Sequence, residues 1–359
     1  MTTKPNYTHI EHLWNIYQDM PRQLAFRAKT KEEWALWREE LEKKLIDLLG
    51  NFPTERPPLK TIVLETNETP DYFMEKVAFQ SDDGVYVPCF VLIPKNVKPP
   101  YRPVVSLHGH GSGGADHTLG LITNEETRAQ EEKLIKNFNY DYSRKLAQRG
   151  YMVFVPGLSG FGERMETLPY MTQTLYTEYG NPMWKSSCRS IAFISMMLGK
   201  TVNGIRVWDV MRTIDYIRSR PEPMINGVGC LGLSGGGMTT LYSSAVEPRI
   251  TVSVINGYFS SYRASIMGVF HCECNYIPGI AKYAEMSDIA GLIAPRPLLI
   301  VSGTDDDLFP VDAVESGYRE LKKVYDLLGV PERLDNDIYK GGHRFSDNKA
   351  FDWLDKWLQ

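Results

Sequence analysis

The stretch that most constrains this chain is Gly227-Val228-Gly229-Cys230-Leu231-Gly232-Leu233-Ser234-Gly235-Gly236-Gly237-Met238. It begins as an apolar strand, turns on glycines, and continues into Met238-Thr239-Thr240-Leu241-Tyr242, which reads as a helix. At the turn lies Gly232-Leu233-Ser234-Gly235-Gly236, a G-x-S-x-G pattern set between strand and helix. A serine on so tight a turn is forced into strained backbone geometry, and side chains two residues to either side would clash. Its hydroxyl is then expected to project above the sheet. The helix N-terminus behind it offers N–H groups and a positive dipole end. The plainer reading is a glycine-rich turn with an incidental serine; the flanking strand and helix favour a nucleophile.

The elements around this turn predict an α/β protein. Phe73 to Gln80 and Val85 to Ile93 read as a hairpin across Asp82-Asp83-Gly84. Short apolar strands follow near 103–107, 151–155, 250–255, 297–301 and 333–339, with helices near 140–149, 204–219 and 313–328 and a last one ending at Trp357. Strands alternating with helices imply a mostly parallel sheet covered on both faces. The connections near 111–138, 157–200 and 257–291 are too long for simple turns and are expected to form site walls or lids. Before the sheet, Thr30-Lys31-Glu32-Glu33 is a capping box. Trp34, Trp37, Leu41, Leu45 and Leu48 mark the apolar stripe of a helix stopping near Gly50. Pro53, Pro57 and Pro58 then break the chain. Residues 1–60 are thus expected to be a helical extension and 61–359 the main domain. The helix is expected to pack on that domain or on another subunit, the latter making a homo-oligomer.

Composition enters by exclusion. Lys and Arg total 40 against 44 Asp and Glu, a formal charge of −4, which gives no electrostatic reason to expect nucleic acid or an anionic membrane as partner. No stretch approaches the ~18 apolar residues of a membrane span, and the first residues show no apolar signal region. Five cysteines scattered over 359 residues do not resemble a disulfide framework. A cytoplasmic setting is expected.

Ligands of such sheets bind beyond the C-terminal strand ends. After the strand at 297–301 comes Ser302-Gly303-Thr304-Asp305-Asp306-Asp307-Leu308-Phe309-Pro310, and after the next comes Gly341-Gly342-His343. The chain order is therefore serine, aspartate, histidine. A serine hydroxyl needs a base to take its proton, and the base needs a carboxylate to fix its tautomer. Singly, a loop histidine and a solvated acidic turn explain these residues; together, at successive strand ends, they point to a triad of Ser234, His343 and one of the three aspartates.

With these pieces, and with His108-Gly109-His110-Gly111 and Ala294-Pro295-Arg296-Pro297-Leu298-Leu299, the chain from residue 72 onward resembles the α/β-hydrolase superfamily. Within it, the chain is similar to the dienelactone-hydrolase-like and acetyl xylan esterase-like carboxylesterases. The resemblance implies an eight-stranded sheet, ester hydrolysis through an acyl-enzyme, and Asp306 as the triad acid. Ser234 stands where dienelactone hydrolases carry cysteine, which argues against that particular activity. One oxyanion donor is expected from the N–H of Gly235 and the other from His110, in the loop after the strand at 103–107. A small-molecule ester, short-acyl and of the acetylated-carbohydrate kind, is the expected substrate. The alternative is a serine peptidase or amidase related to the prolyl oligopeptidase catalytic domain; a catalytically dead scaffold has no reason to keep all three groups.

No cofactor and no metal are expected. His108, His110, Asp116 and His117 lack helical metal-ligand spacing. His271-Cys272-Glu273-Cys274 lacks a second cysteine pair and is expected to be a site wall with apolar thiols. Glu163 and Arg164 are expected to pair with each other. Tyr170, Tyr176, Trp184, Tyr258 and Tyr276 are candidates for walling a pocket.

Overall fold

A nine-stranded sheet carries the structure, a computed structural model that describes residues 7–111, 113–166, 176–177, 185–224 and 226–359. Its strands are β1 (Ile62–Glu68), β2 (Tyr72–Asp82), β3 (Val85–Pro94), β4 (Arg102–Leu107), β5 (Tyr151–Pro156), β6 (Val228–Leu233), β7 (Ile250–Asn256), β8 (Leu298–Gly303) and β9 (Leu334–Tyr339). They lie in the order β1-β2-β3-β5-β4-β6-β7-β8-β9. The first three and the β3–β5 pair are antiparallel; from β5 to β9 every pairing is parallel. The α/β reading holds, with nine strands in place of eight. The extra one, β1, is exposed at every position, so it carries none of the alternation that marks a half-buried strand.

Alternate residues of each strand feed two cores. In β6, Cys230 joins one and Leu231 and Leu233 the other. Helices Val202–Ser219 and Gly235–Val246 pack on the first face; Tyr142–Gln148 and Ala350–Trp357 pack on the second. The connection from β5 to β6 carries the chain across β4. The strand order therefore reverses between β4 and β6, where open α/β sheets leave a crevice for ligands.

The helix Lys31–Leu49 starts at Thr30, whose side chain accepts from Glu33 N, and stops at Gly50 in a left-handed turn (φ 100°). Only half the capping box forms, because the Glu33 carboxylate turns to the N–H of Lys29 (2.7 Å). Trp37, Leu41, Leu45 and Leu49 are buried in the first core, each worth about 1.5–3 kcal/mol when fully removed from water. The stripe therefore faces its own chain rather than a second subunit. Among the described residues no helix is long and apolar enough to cross a membrane.

Candidate active site

The loops after β4, β6, β8 and β9 meet at the crevice. After β6 the chain passes through Ser234, at φ 57° and ψ −116°, a region that L-residues rarely occupy. The turn closes so tightly that a Cβ on Gly232 would lie 2.6 Å from Leu107 O, and one on Gly236 only 2.0 Å from the same atom. Both glycines of the pattern are thus required sterically. The backbone is held by Ser234 N donating to Asn256 O (2.9 Å) and Met238 N donating to Ser234 O (2.8 Å).

His343 follows β9, and its Nδ1 lies 2.7 Å from Asp306 Oδ2. Asp306 is buried, and its other oxygen accepts from Leu308 N (2.9 Å) and Phe309 N (3.2 Å), which fixes the carboxylate. Asp305 and Asp307 are exposed. The arrangement singles out Asp306 from the three aspartates. The His343 ring stacks on Phe309 at 5.7 Å between centroids.

His110 lies against the elbow: a Cβ on Gly235 would come 2.7 Å from its Nδ1 and 3.6 Å from its backbone N. The loop that carries it is anchored by His108, which is fully buried. Its Nδ1 is 2.8 Å from Gly109 O, and its Nε2 accepts from Leu158 N (2.8 Å), so both ring nitrogens are used by a neutral ring. Burial lowers the His108 pKa to about 3 and that of His110 to about 4.

Ser234, His110 and His343 line one cavity of about 290 Å³. Its walls are mostly apolar: Phe138, Tyr140, Leu233, Tyr258, Leu308 and Phe309. His271 and Cys272 also face it; the His271 pKa falls to about 4, from burial first and the neighbouring His343 second. No Lys, Arg, Asp or Glu side chain is among the described lining residues.

Several expectations need correction. Tyr258 is in the cavity wall, but Tyr276 lies in a separate surface groove with residues of the first helix, Ile10–Asp19. Tyr170, Trp184 and the Tyr176 side chain fall outside the described residues. Glu163 pairs with Lys76 (2.8 Å) and Arg164 with the buried Asp209 (2.6 Å), not with each other. His117 is engaged by Glu131 (3.0 Å), well apart in role from His108 and His110. His271 and Cys272 line the cavity, as expected of the 271–274 wall, and Phe138 reaches it from the connection at 111–138; Tyr140, read from sequence only as the start of a helix, lines it too. Cys188, which no sequence pattern marks, joins Cys272, Cys274 and His110 in a cluster at the cavity wall.

A parallel sheet reversing at this crevice, with a strained serine at one strand end and a carboxylate-held histidine at another, defines an α/β-hydrolase fold. The chain belongs to the Abhydrolase family, whose model matches residues 10–351. It is 26% identical to "Putative hydrolase YtaP" of Bacillus subtilis (strain 168) over 336 residues, covering 89% of this chain and 100% of that protein. A solved structure described as a putative acetyl xylan esterase from Bacteroides fragilis superposes with a TM-score of 0.76 at 16% identity, over 95% of this chain and 84% of the other. A glucuronoyl esterase from Solibacter usitatus superposes with a TM-score of 0.67 at 16% identity, over 98% and 97%.

Proposed function

We propose that the protein is a serine carboxylesterase acting on short-acyl esters, with acetylated carbohydrates as the natural class. Ser234 attacks the ester carbonyl and His343 takes its proton through the nitrogen not engaged by Asp306. The N–H groups of Gly235 and His110 hold the oxyanion, and the alcohol leaves with the proton from His343. Water then repeats the sequence on the acyl-enzyme. The observation that carries this reading is the pair His343–Asp306 at 2.7 Å opening on the same cavity as the strained Ser234. The acetyl xylan and glucuronoyl esterases among the structural neighbours support a sugar ester.

Between those two ester types the cavity favours the first. A glucuronoyl ester delivers the sugar as the acid part, a polar body to be recognised beside the reacting carbon. An acetyl ester places a methyl group there, which suits walls of Phe, Tyr and Leu with no charged side chain among the described lining residues. In this proposal residues 61–359 are the catalytic domain, residues 1–60 an extension packed on it, and the setting cytoplasmic. The five cysteines, all free thiols, support that setting. The test is a p-nitrophenyl ester series run beside acetylated xylo-oligosaccharides, methyl glucuronate esters and peptide amides. The reading expects kcat/KM to be highest for acetate or propionate. A maximum at octanoate or beyond, or amides outrunning acetate, overturns it.

A further inference from the structure

At the cavity wall, to which His110 and Cys272 belong, three segments far apart in sequence bring soft donors to one point. Cys188 opens the helix Cys188–Met197, Cys272 and Cys274 flank the turn before Asn275, and His110 comes from the loop after β4. The three thiol sulfurs and one imidazole nitrogen all lie within 4.8 Å of one another. His110 Nε2 is 3.1 Å from Cys274 Sγ, while its Nδ1 is the atom turned toward Gly235. Donors bound tetrahedrally at about 2.3 Å from one ion stand about 3.8 Å apart, so the cluster needs little adjustment to close on it.

A second observation concerns charge. Arg206 is fully buried and makes no ion pair with a carboxylate among the described residues. Its guanidinium donates to Ser159 O (2.7 Å) and to Cys188 Sγ (3.1 Å), and its Nη1 has no hydrogen-bond partner among the described residues. A buried guanidinium needs a counter-charge. Three thiolates and a neutral imidazole around a divalent ion carry a net charge of −1, which this single cation balances. The sulfurs also have the N–H neighbours that orient metal-bound thiolates: Arg206 on Cys188, and the Asn275 amide 3.8 Å from Cys274 Sγ. The Asn203 amide holds Cys274 O at 3.0 Å from a core helix.

We propose that Cys188, Cys272, Cys274 and His110 form a Cys₃His site for a thiophilic divalent cation, zinc, tying the oxyanion loop to the helix at 188 and the turn at 272–275. Binding releases to solvent one proton for each thiol that is not already a thiolate. All four positions are taken by protein, so the ion is structural and takes no part in the ester chemistry. The proposal runs against the expectation that 271–274 is a wall of apolar thiols holding no metal. Sequence spacing could not reveal this site, because Cys188 and His110 supply from elsewhere the ligands that the 272–274 pair lacks.

The test measures metal, not hydrolysis, so it stands or falls apart from the esterase reading. The full chain, purified under reducing conditions, is assayed for metal by mass spectrometry and then exchanged with cobalt(II) alone. The proposal expects about one zinc per chain and, with cobalt, the thiolate charge-transfer absorption of a tetrahedral site. The double variant Cys188→Ser/Cys274→Ser should hold at least about tenfold less zinc. Cys89→Ser, a buried thiol outside the cluster, should keep it. The wild-type cobalt spectrum decides even where the double variant fails to fold. A wild-type chain that takes up neither zinc nor cobalt overturns the proposal, as does a disulfide joining Cys188 to Cys272 or Cys274 under those conditions. Equal zinc loss in all variants also overturns the site, and iron or copper in place of zinc overturns the choice of ion.

Discussion

The two sides of the cavity are put together in different ways. On the strand-end side, Ser234, Asp306 and His343 each follow a parallel strand by a few residues, so the sheet positions them. On the thiol side, His110, Cys188, Cys272 and Cys274 are assembled from a loop, a helix start and an irregular turn. The first arrangement is a property of fold topology. The second depends on how the long connections pack. The two meet at His110, whose backbone faces the elbow and whose ring faces the sulfurs.

The largest expected effect tests the strand-end side. His343→Ala should lower kcat by about 10⁶, as removing the base of a comparable triad does, with KM little changed. A loss under tenfold would move the base to His271, the other imidazole of the cavity. Asp306→Asn should cost about 10⁴ in kcat with folding intact, because the wrong tautomer of His343 is then favoured. Asp305→Asn and Asp307→Asn, both exposed, should stay near wild type; if either is the crippled variant, the Asp306–His343 contact is not the functional one.

Gly235→Ala probes the junction of the two sides. Its Cβ would meet the His110 ring at 2.7 Å, so the ring and its loop must move. The expected loss is about 10²–10³ in kcat, the scale of a displaced oxyanion donor, with acetate KM nearly constant. An unchanged kcat would separate His110 from the oxyanion and leave the two sides independent. The smallest effect is expected for Cys230→Ala. Cys230 is buried in β6 with its thiol pKa pushed up to about 12 by burial, and it stands outside the cluster. Its loss should cost about 1–2 kcal/mol in thermal or urea unfolding and leave kcat alone. A loss of activity there would mean that thiols outside the cluster also support the site.

What could be read from sequence follows the same divide. The hairpin, the parallel strands and the elbow were legible because each is written in a few consecutive residues with a physical meaning, alternation or glycines; the strand-end pattern left three aspartates open, and only the family resemblance pointed to Asp306. β1 was not legible, since a strand exposed on every residue has no period to detect. The first helix, Ile10–Asp19, was missed although Ile10, Leu13, Trp14 and Tyr17 recur at helical spacing, since no side-chain cap opens it and none of its residues is buried. Phe138 and Tyr140 reach the cavity from positions that no local pattern marks as lining, whereas His271 lies in the 271–274 stretch already expected to form a wall. The pairing of Arg164 with Asp209 rather than Glu163 shows how a neighbour in sequence loses to a buried partner in space.

The central claim is that Ser234 is an activated nucleophile, and covalent labelling tests it most directly. A fluorophosphonate reacts with a serine only where a base takes its proton and an oxyanion site receives the phosphoryl oxygen. Intact-mass and peptide mapping of the treated full-length chain should show one adduct, on Ser234. The adduct should be absent from Ser234→Ala and formed far more slowly in His343→Ala. A wild-type chain that stays unlabelled while folded, or an adduct on another residue, would contradict the account.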